Sequence, residues 1–213
     1  IPSAIKRRSG DEKKNIYKKL KTILIDEISM VRADLLDCVD KFLRLNGPDE
    51  TLPFGGVQMI FIGDLYQLPP VVSSHAREIF RTHYATPYFF SAKVFDGLDI
   101  AFVELEKIYR QQDGEFIRLL NTIRNRTVTD DDLALFNQRH DPDFTAPPGD
   151  FYIHLTSTNA LADAINEEQL AGLPGRSRKF KGLIEGEFGR EYLPTALDLK
   201  LRKDAQIMLL NND

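Results

Sequence analysis

Two adjacent acidic residues, Asp26 and Glu27, follow the short apolar run 22–25 and carry the strongest chemical signal in the sequence. Open α/β sheets bind ligands at the carboxyl ends of their strands, so paired carboxylates there suit a nucleotide site. Asp26 could hold Mg²⁺, which takes only one or two protein carboxylates, and Glu27 could accept a proton from an attacking water. The same pattern also arises where a strand meets a helix N-terminus, because the helix dipole favours acids there.

A second signal is the segment Gly63–Pro70, which follows the next apolar run at 57–62. Gln67 carries an acceptor and two donors without charge, so it could orient a water or touch a terminal phosphate, as glutamines do in nucleotide hydrolases. Pro69 and Pro70 stiffen the chain behind it, because proline fixes φ. The alternative interpretation is a plain turn with a rigid exit.

A third signal is Arg110, in the tripeptide 109–111. An arginine that reaches across from a second domain can stabilise charge on a transferred phosphoryl group, and such arginine fingers are worth roughly 10³–10⁵ in rate. A lone arginine in a loop is otherwise a surface residue or the partner of an acid. The interpretation therefore depends on a domain boundary upstream, which we predict between Phe95 and Ile100.

A βαβ unit would position the first two signals. The apolar run 22–25 does not alternate, which predicts a strand buried on both faces. Apolar residues between 35 and 43 recur as on one face of an amphipathic helix, and 57–62 predicts a second strand. Strand, helix and strand joined by short loops predict an α/β fold.

The rest of the chain predicts further elements of the same kind. The aromatic residues between 84 and 95 are expected to pack at the edge of a core, and Thr129 with Asp132 resembles a capping box. Strands are predicted at 100–105, 151–155 and 205–210, a half-buried strand through 197–201, and helices at 116–123 and from about 157. We predict one domain over 1–97 and a second over 98–213.

Composition excludes several classes of protein. Of 213 residues, 42% are hydrophobic and 28% are charged, which excludes disorder over most of the length. The single cysteine, Cys38, excludes an intramolecular disulfide, and the four histidines lack metal-ligand spacing. No run approaches the roughly 20 apolar residues of a membrane-spanning helix.

Charge is uneven along the chain. The net charge of −4 argues against a globally basic nucleic-acid coat protein but allows a local basic groove. Residues 1–21 carry eight Lys or Arg and two acids, whereas 112–170 carry four arginines and eleven acids. Such runs are also typical of solvated surface. Because the chain starts at Ile1 rather than Met and ends after an apolar run, we expect it to be part of a longer protein.

Several motifs, in order, resemble those of Pif-type (petite integration frequency) DNA helicases, in the Pif–RecD branch of helicase superfamily one. The matching segments are Ile25–Met30 (Walker B), Asp40–Arg44 and Pro53–Gln58 (a signature peculiar to the Pif-type subgroup), Gly63–Val71 (third motif), Tyr109–Gln111 (fourth motif), and Leu155–Asn159 with Ala162 and Asn166 (a DNA-gripping motif). The resemblance implies two incomplete RecA-like (P-loop NTPase) lobes with mostly parallel sheets flanked by helices.

The resemblance also implies a role for each matching residue. Asp26 would serve the Mg²⁺ of Mg-ATP, Glu27 would be the general base, Gln67 would sense the γ-phosphate, and Arg110 would contact that phosphate from the second lobe. Thr156, Thr158 and Asn159 would contact phosphates of single-stranded DNA, without reading sequence. Tyr66 or Phe54 could stack on bases, although a structural role is expected for both.

One departure from the family bears on activity. The sequence contains no G-x-x-x-x-G-K-[ST] loop, and none of its 13 glycines precedes a lysine. We therefore expect the middle segment of an intracellular helicase that acts on single-stranded and forked or structured DNA, with the segment alone inactive. The alternatives are a RecA-like ATPase that does not unwind DNA, and a non-catalytic nucleic-acid-binding relic of a helicase.

Overall fold

The computed structural model describes residues 4–7, 16–147, 150–186, 193 and 195–209. The chain divides into two compact units, Ile1–Phe136 and Asn137–Asp213. The helices and strands of the described residues are β1 (Thr22–Ile25), α1 (Ala33–Asn46), β2 (Gln58–Phe61), α2 (Ser74–His83), α3 (Gly114–Arg124), α4 (Asp130–Asn137), α5 (Asn159–Gly172), β3 (Arg178–Lys181) and β4 (Asp198–Leu201). None of these helices is long and apolar enough to cross a membrane.

The first unit is built on the predicted βαβ arrangement. β1 and β2 pair in parallel, with Ile25 opposite Phe61, and α1 runs between them in the chain. The apolar face of α1 lies in the core, where Leu36 and Leu43 are fully buried. The spacing of apolar residues therefore predicts α1 correctly, and it predicts the buried face correctly except at Leu35, which is 53% exposed.

Among the residues that the structure describes, the two-stranded sheet is covered on one face only. Ile25 and Phe61 point to the core beneath α1, whereas Leu24 on the opposite face is 55% exposed and Ile60 is 39% exposed. The prediction of a strand buried on both faces is therefore wrong for β1 among the described residues. An apolar run without alternation signals two apolar faces, but it does not supply the element that covers the second one.

The two segments that resemble the Pif-type signature hold the loop before β2 in an unusual conformation. The Asp40 carboxylate accepts hydrogen bonds from the Phe54 N–H (2.6 Å) and from Arg44 Nε (2.8 Å). Phe54 and Gly55 both have positive φ, at 51° and 65°. A Cβ at Gly55 would lie 2.3 Å from the carbonyl oxygen of Leu43, so only glycine fits against α1. Phe54 itself is buried, and its role is therefore structural.

Aromatic residues at the edge of this core pack as the sequence predicts. The centroid of the Phe61 ring lies 6.1 Å from that of the Phe89 ring and 6.0 Å from that of the Phe95 ring. The Tyr84 hydroxyl donates to Asp37 Oδ2 at 2.8 Å. Burial, and then the hydrogen bond to Asp37, raises the pKa of Tyr84, so the tyrosine stays a neutral hydrogen-bond donor.

Side-chain contacts join helices α3 and α4 to each other. The predicted capping box forms, because Asp132 Oδ2 accepts from the Thr129 N–H (3.0 Å) and Thr129 Oγ1 accepts from the Asp132 N–H (3.2 Å). Arg118 of α3 pairs with Asp132 at 2.7 Å. Hydrogen bonds from Arg118, and then from Thr129, hold the pKa of Asp132 below its usual range.

The compact units divide elsewhere than the predicted domains do. The predicted boundary between residues 97 and 98 lies inside the first unit, which extends to Phe136. Arg124, the last residue of α3, forms an ion pair with Asp64 beyond the end of β2, and this contact keeps α3 with the first unit. The assignment of residues 1–97 and 98–213 to two RecA-like lobes stays a prediction.

Three predicted strands do not form in the described residues. Residues 100–105, 151–155 and 205–209 are irregular, and their apolar side chains are exposed, with Leu155 at 93%. A strand needs a neighbour to pair with its backbone N–H and C=O groups, and no described strand lies beside these runs. The predicted half-buried strand near 197–201 does form, as β4, and it pairs antiparallel with β3.

Candidate active site

The predicted site residues that follow β1 and β2 leave the sheet at the same edge. The strands are parallel, and the pairing continues past their ends, because the Ile28 N–H donates to the Ile62 carbonyl at 2.9 Å. A Cβ at Gly63 would lie 2.9 Å from Ile28 Cγ2 and 3.0 Å from its backbone nitrogen. Glycine at position 63 therefore lets the turn after β2 approach the turn that carries Asp26 and Glu27.

Asp26 and Glu27 occupy a strained turn with exposed carboxylates. Glu27 has left-handed backbone angles (φ 51°, ψ 42°), which cost about 1–3 kcal/mol in a residue other than glycine. Asp26 Oδ1 accepts from the Glu27 N–H at 2.9 Å and helps to hold that conformation. Ile28 and Ser29 are buried directly behind them and anchor the turn.

The alternative interpretation places these acids at a helix N-terminus, and the structure agrees with it only in that a short helix follows Glu27. A single turn of 3₁₀ helix, Ile28–Met30, follows Glu27, but the Glu27 side chain makes no capping hydrogen bond to it. A helix of three residues carries little of the macrodipole that would favour an acid. The strained Glu27 backbone and the uncommitted carboxylate therefore favour a chemical role over a capping role.

The loop after β2 is organised by Asp64, which the sequence interpretation did not select. Asp64 Oδ1 accepts from the Tyr66 N–H (3.0 Å), and Oδ2 accepts from Gln67 Nε2 (3.3 Å). The Gln67 N–H donates to the Asp64 carbonyl at 3.1 Å. An aspartate whose side chain accepts from the backbone N–H two residues ahead forms an Asx turn. An aspartate just after a glycine at the end of a strand is the local signal that could have identified the role of Asp64.

A cation from α3 reaches the same loop. Arg124 Nη2 lies 3.0 Å from Asp64 Oδ1, and the Arg124 guanidinium lies 4.7 Å from the centroid of the Tyr66 ring. Tyr66 nevertheless remains 68% exposed. No local spacing joins Asp64 to Arg124, 60 residues later, so sequence reasoning had no means to find this contact.

Arg110 is not brought to the acidic turn. It is exposed in the irregular segment that precedes α3, and among the described residues no hydrogen bond or ion pair joins it to Asp26, Glu27 or Gln67. Its neighbour Gln111 accepts hydrogen bonds from the N–H groups of residues 112 and 113 through Oε1. The role predicted for Arg110 in the site stays a prediction.

The three residues predicted to contact DNA lie together at the start of α5, in the second unit. Thr158 is the N-cap, and its Oγ1 accepts from the Leu161 N–H at 3.3 Å. Thr156 Oγ1 donates to the Thr158 carbonyl at 3.0 Å, and Asn159 is exposed at the first helical position. This geometry presents hydroxyl and amide groups beside backbone N–H groups at a helix N-terminus, an arrangement that suits a phosphate.

The donor set at the acidic turn fits one magnesium ion bound with a nucleotide. Among the residues that the structure describes, no group of three or more His, Cys, Asp or Glu could hold a metal. Mg²⁺ does not need such a group, since it commonly binds one or two carboxylates, several waters and substrate phosphates. Asp26 offers Oδ2 for this purpose, because its Oδ1 already accepts from Glu27.

Comparisons with known proteins agree with the resemblance. The model of the PIF1-like helicase family matches residues 2–133. The ATP-dependent DNA helicase PIF1 of Emericella nidulans is 29% identical over 229 aligned positions, which cover 100% of this chain and 28% of that protein. Crystal structures of Bacteroides Pif1, one bound to ssDNA and one in complex with ADP-AlF3 and ssDNA, match with a TM-score of 0.81 and 39% identity over 98% of this chain and 48% of theirs.

The structural likeness confirms the α/β fold class and its relation to the RecA-like lobes of Pif1 helicases. The chain spans about a quarter of the curated relatives and about half of the Bacteroides chains. The family model covers more than half of the chain, so the chain belongs to the PIF1-like helicase family.

Proposed function

We propose that this chain is the middle segment of an ATP-dependent DNA helicase that couples ATP hydrolysis to movement along single-stranded DNA and to duplex unwinding. The observation that carries the proposal is the common sheet edge, from which the Asp26–Glu27 turn and the Asp64–Gln67 loop both leave, with Gly63 packed against Ile28. Relatives named ATP-dependent DNA helicases, and a neighbour in complex with ADP-AlF3 and ssDNA, support the same conclusion.

The acidic turn would supply the hydrolytic chemistry. Glu27 would take a proton from the attacking water, a contribution of about 10²–10⁴ in rate for a positioned general base. Asp26 would hold Mg²⁺, which when bound offsets charge on the phosphates. The exposure of both residues leaves their carboxylates accessible to a nucleotide.

Gln67 and Arg110 would respond to the terminal phosphate. Gln67 is an uncharged group on the adjacent loop, so it can contact a phosphate or orient a water without adding charge. Arg110 would approach the phosphate only when the nucleotide is bound, which is consistent with its exposed position in the irregular segment before α3.

The start of α5 would bind the backbone of single-stranded DNA. Thr156, Thr158 and Asn159 would contact phosphates there, which fixes the register of the strand without reading its sequence. A neighbour described as two Pif1 helicases unwinding forked dsDNA supports forked DNA as a further substrate. A DNA substrate also supports the expectation of an intracellular protein.

The 213 residues contain no phosphate-binding loop with its lysine. We therefore propose that the chain by itself does not hydrolyse ATP, and that activity belongs to the full-length helicase containing these residues. Incubation of the chain alone with Mg-ATP and single-stranded DNA should give no phosphate release above background. Release by the isolated chain would contradict this part of the proposal.

The test of the full proposal is a Glu27→Gln variant of the full-length protein. We expect DNA-stimulated phosphate release to fall by about 10²-fold or more, with ATP binding retained and unwinding of a forked duplex lost. Glu78→Gln, an exposed position on α2, is the matched control and should leave the rate unchanged. Hydrolysis without unwinding in the wild type would favour the non-unwinding ATPase, and DNA binding without hydrolysis would favour the relic.

A further inference from the structure

The carboxylate of Asp64 is shared by three donors at the candidate site. Its Oδ1 accepts from Arg124 Nη2 and from the Tyr66 N–H, both at 3.0 Å, and its Oδ2 accepts from Gln67 Nε2 at 3.3 Å. The side chain is 23% exposed, so water competes only in part for these contacts. One carboxylate thus connects the loop backbone, the Gln67 amide and a cation from another helix.

Arg124 is suited to hold this carboxylate in place. Its guanidinium pairs with Asp64 and also lies over the Tyr66 ring, 4.7 Å from the centroid. A planar guanidinium can satisfy both contacts at once, because it donates in its plane and stacks through its face. Arg124 therefore restrains two side chains of the loop, one by charge and one by stacking.

The contact with Asp64 decides which end of the Gln67 amide faces outward. An ionised carboxylate only accepts hydrogen bonds, so the donor end of the amide must face it. The Gln67 carbonyl oxygen, Oε1, is then the end that can accept a hydrogen bond from a water or a ligand. A flipped amide would place its carbonyl oxygen against the Asp64 carboxylate, which is electrostatically unfavourable.

We propose that Asp64 and Arg124 are positioning residues that fix the Gln67 amide with Oε1 outward, poised to orient the attacking water. This inference rests on the proposed function of Gln67. Because α3 begins at Gly114, four residues after Arg110, the helix that continues from the Arg110 segment also holds the Gln67 loop. A movement of the Arg110 segment would then be transmitted to Gln67 through α3 and the Arg124–Asp64 ion pair.

The first test compares Arg124→Gln and Arg124→Lys in the full-length helicase with saturating single-stranded DNA. We expect Arg124→Gln to lower kcat for ATP by about tenfold, since misplacing a group by 1 Å costs up to about 10²-fold, and to leave KM within about twofold. Arg124→Lys keeps the charge and should restore kcat to within about threefold of wild type. Arg118→Gln is the matched control, because Arg118 lies on the same helix, is similarly exposed and also pairs with an aspartate.

The second test is a double-mutant cycle with Asp64→Asn. If Arg124 acts through Asp64, the double variant should lose no more kcat than the worse single variant. Wild-type kcat in Arg124→Gln, additive losses in the double variant, or an equal loss in Arg118→Gln would overturn the inference. Thermal melting of each variant separates an effect on kcat from partial unfolding.

A Glu27→Gln variant, measured alongside, distinguishes failure of this inference from failure of the proposed function. Wild-type hydrolysis by Glu27→Gln would overturn the proposed function and this inference with it. An inactive Glu27→Gln together with a fully active Arg124→Gln would overturn this inference alone.

Discussion

Asp40 is the residue on which the loop before β2 depends, and its removal should destabilise the first unit by a calculable amount. Phe54 is 2% exposed, so its N–H cannot turn to water when the Asp40 carboxylate is lost. A buried donor left without a partner costs about 1–3 kcal/mol, and a hydrogen bond to a charged acceptor contributes about 1.5–3 kcal/mol. The Arg44 pair adds little, because ion pairs between residues four apart on a helix contribute only about 0.3–0.5 kcal/mol.

We therefore expect Asp40→Ala to lower the free energy of unfolding by about 2–3 kcal/mol. Asp40→Asn keeps an oxygen acceptor for the Phe54 N–H and should lose only about 1 kcal/mol. The assay is urea denaturation of the 213-residue chain followed by circular dichroism. Asp96→Ala, at an exposed position, is the control, and a loss in Asp40→Ala no larger than in Asp96→Ala would refute the reasoning.

Three further predictions follow from single contacts. Gly55→Ala should lower the free energy of unfolding by more than about 3 kcal/mol, because positive φ and a 2.3 Å approach to a backbone oxygen both oppose a Cβ. Gly114 has open space around it, so Gly114→Ala should leave the free energy of unfolding unchanged or raise it slightly in the same denaturation assay. Asp132→Asn should lower the melting temperature at pH 7. The hydrogen bond from Arg118 is the main cause of the lowered pKa of Asp132 in the folded protein. The ionised carboxylate therefore stabilises the fold above about pH 4, and this stabilisation is lost as the pH falls below that value. A difference in melting temperature from wild type that persists undiminished at pH 2.5 would contradict this. Thr158→Ala should weaken binding of single-stranded DNA by the full-length helicase several-fold, whereas Thr158→Ser keeps the hydroxyl and should bind normally in a fluorescence anisotropy titration; equal binding by all three proteins would remove Thr158 from the interface.

The elements that the sequence predicts correctly are those whose signals are local. The spacing of Leu36 and Leu43 identifies both α1 and its buried face, and Thr129 with Asp132 identifies a helix start. The contiguous apolar run 22–25 identifies β1, and Asp26 and Glu27 follow it directly. The parallel pairing of β1 with β2 then brings two motifs that are distant in the chain to one edge of the sheet. A local pattern suffices to identify each of these elements, and the βαβ connection then fixes how the two strands pair.

What the sequence does not predict depends on partners that no spacing specifies. The runs at 100–105 and 151–155 have the composition of strands, but no described strand pairs with them, and Leu105 is 85% exposed. The Asp64–Arg124 pair joins residues 60 positions apart, and no local pattern predicts it. Composition reports what a segment can do, whereas pairing and ion-pair geometry depend on the whole fold.

The most direct measurement of the central claim is the position of the metal ion at the common sheet edge. The full-length helicase would be crystallised with Mn²⁺ in place of Mg²⁺ and with ADP-aluminium fluoride, and the anomalous scattering of manganese would locate the ion. We expect the peak at about 2–4 Å from the Asp26 carboxylate, bound directly or through one water, with Glu27 and Gln67 facing the fluoride. A manganese peak more than about 8 Å from Asp26, with the nucleotide bound elsewhere, lies beyond any direct or water-bridged ligation and would contradict the claim.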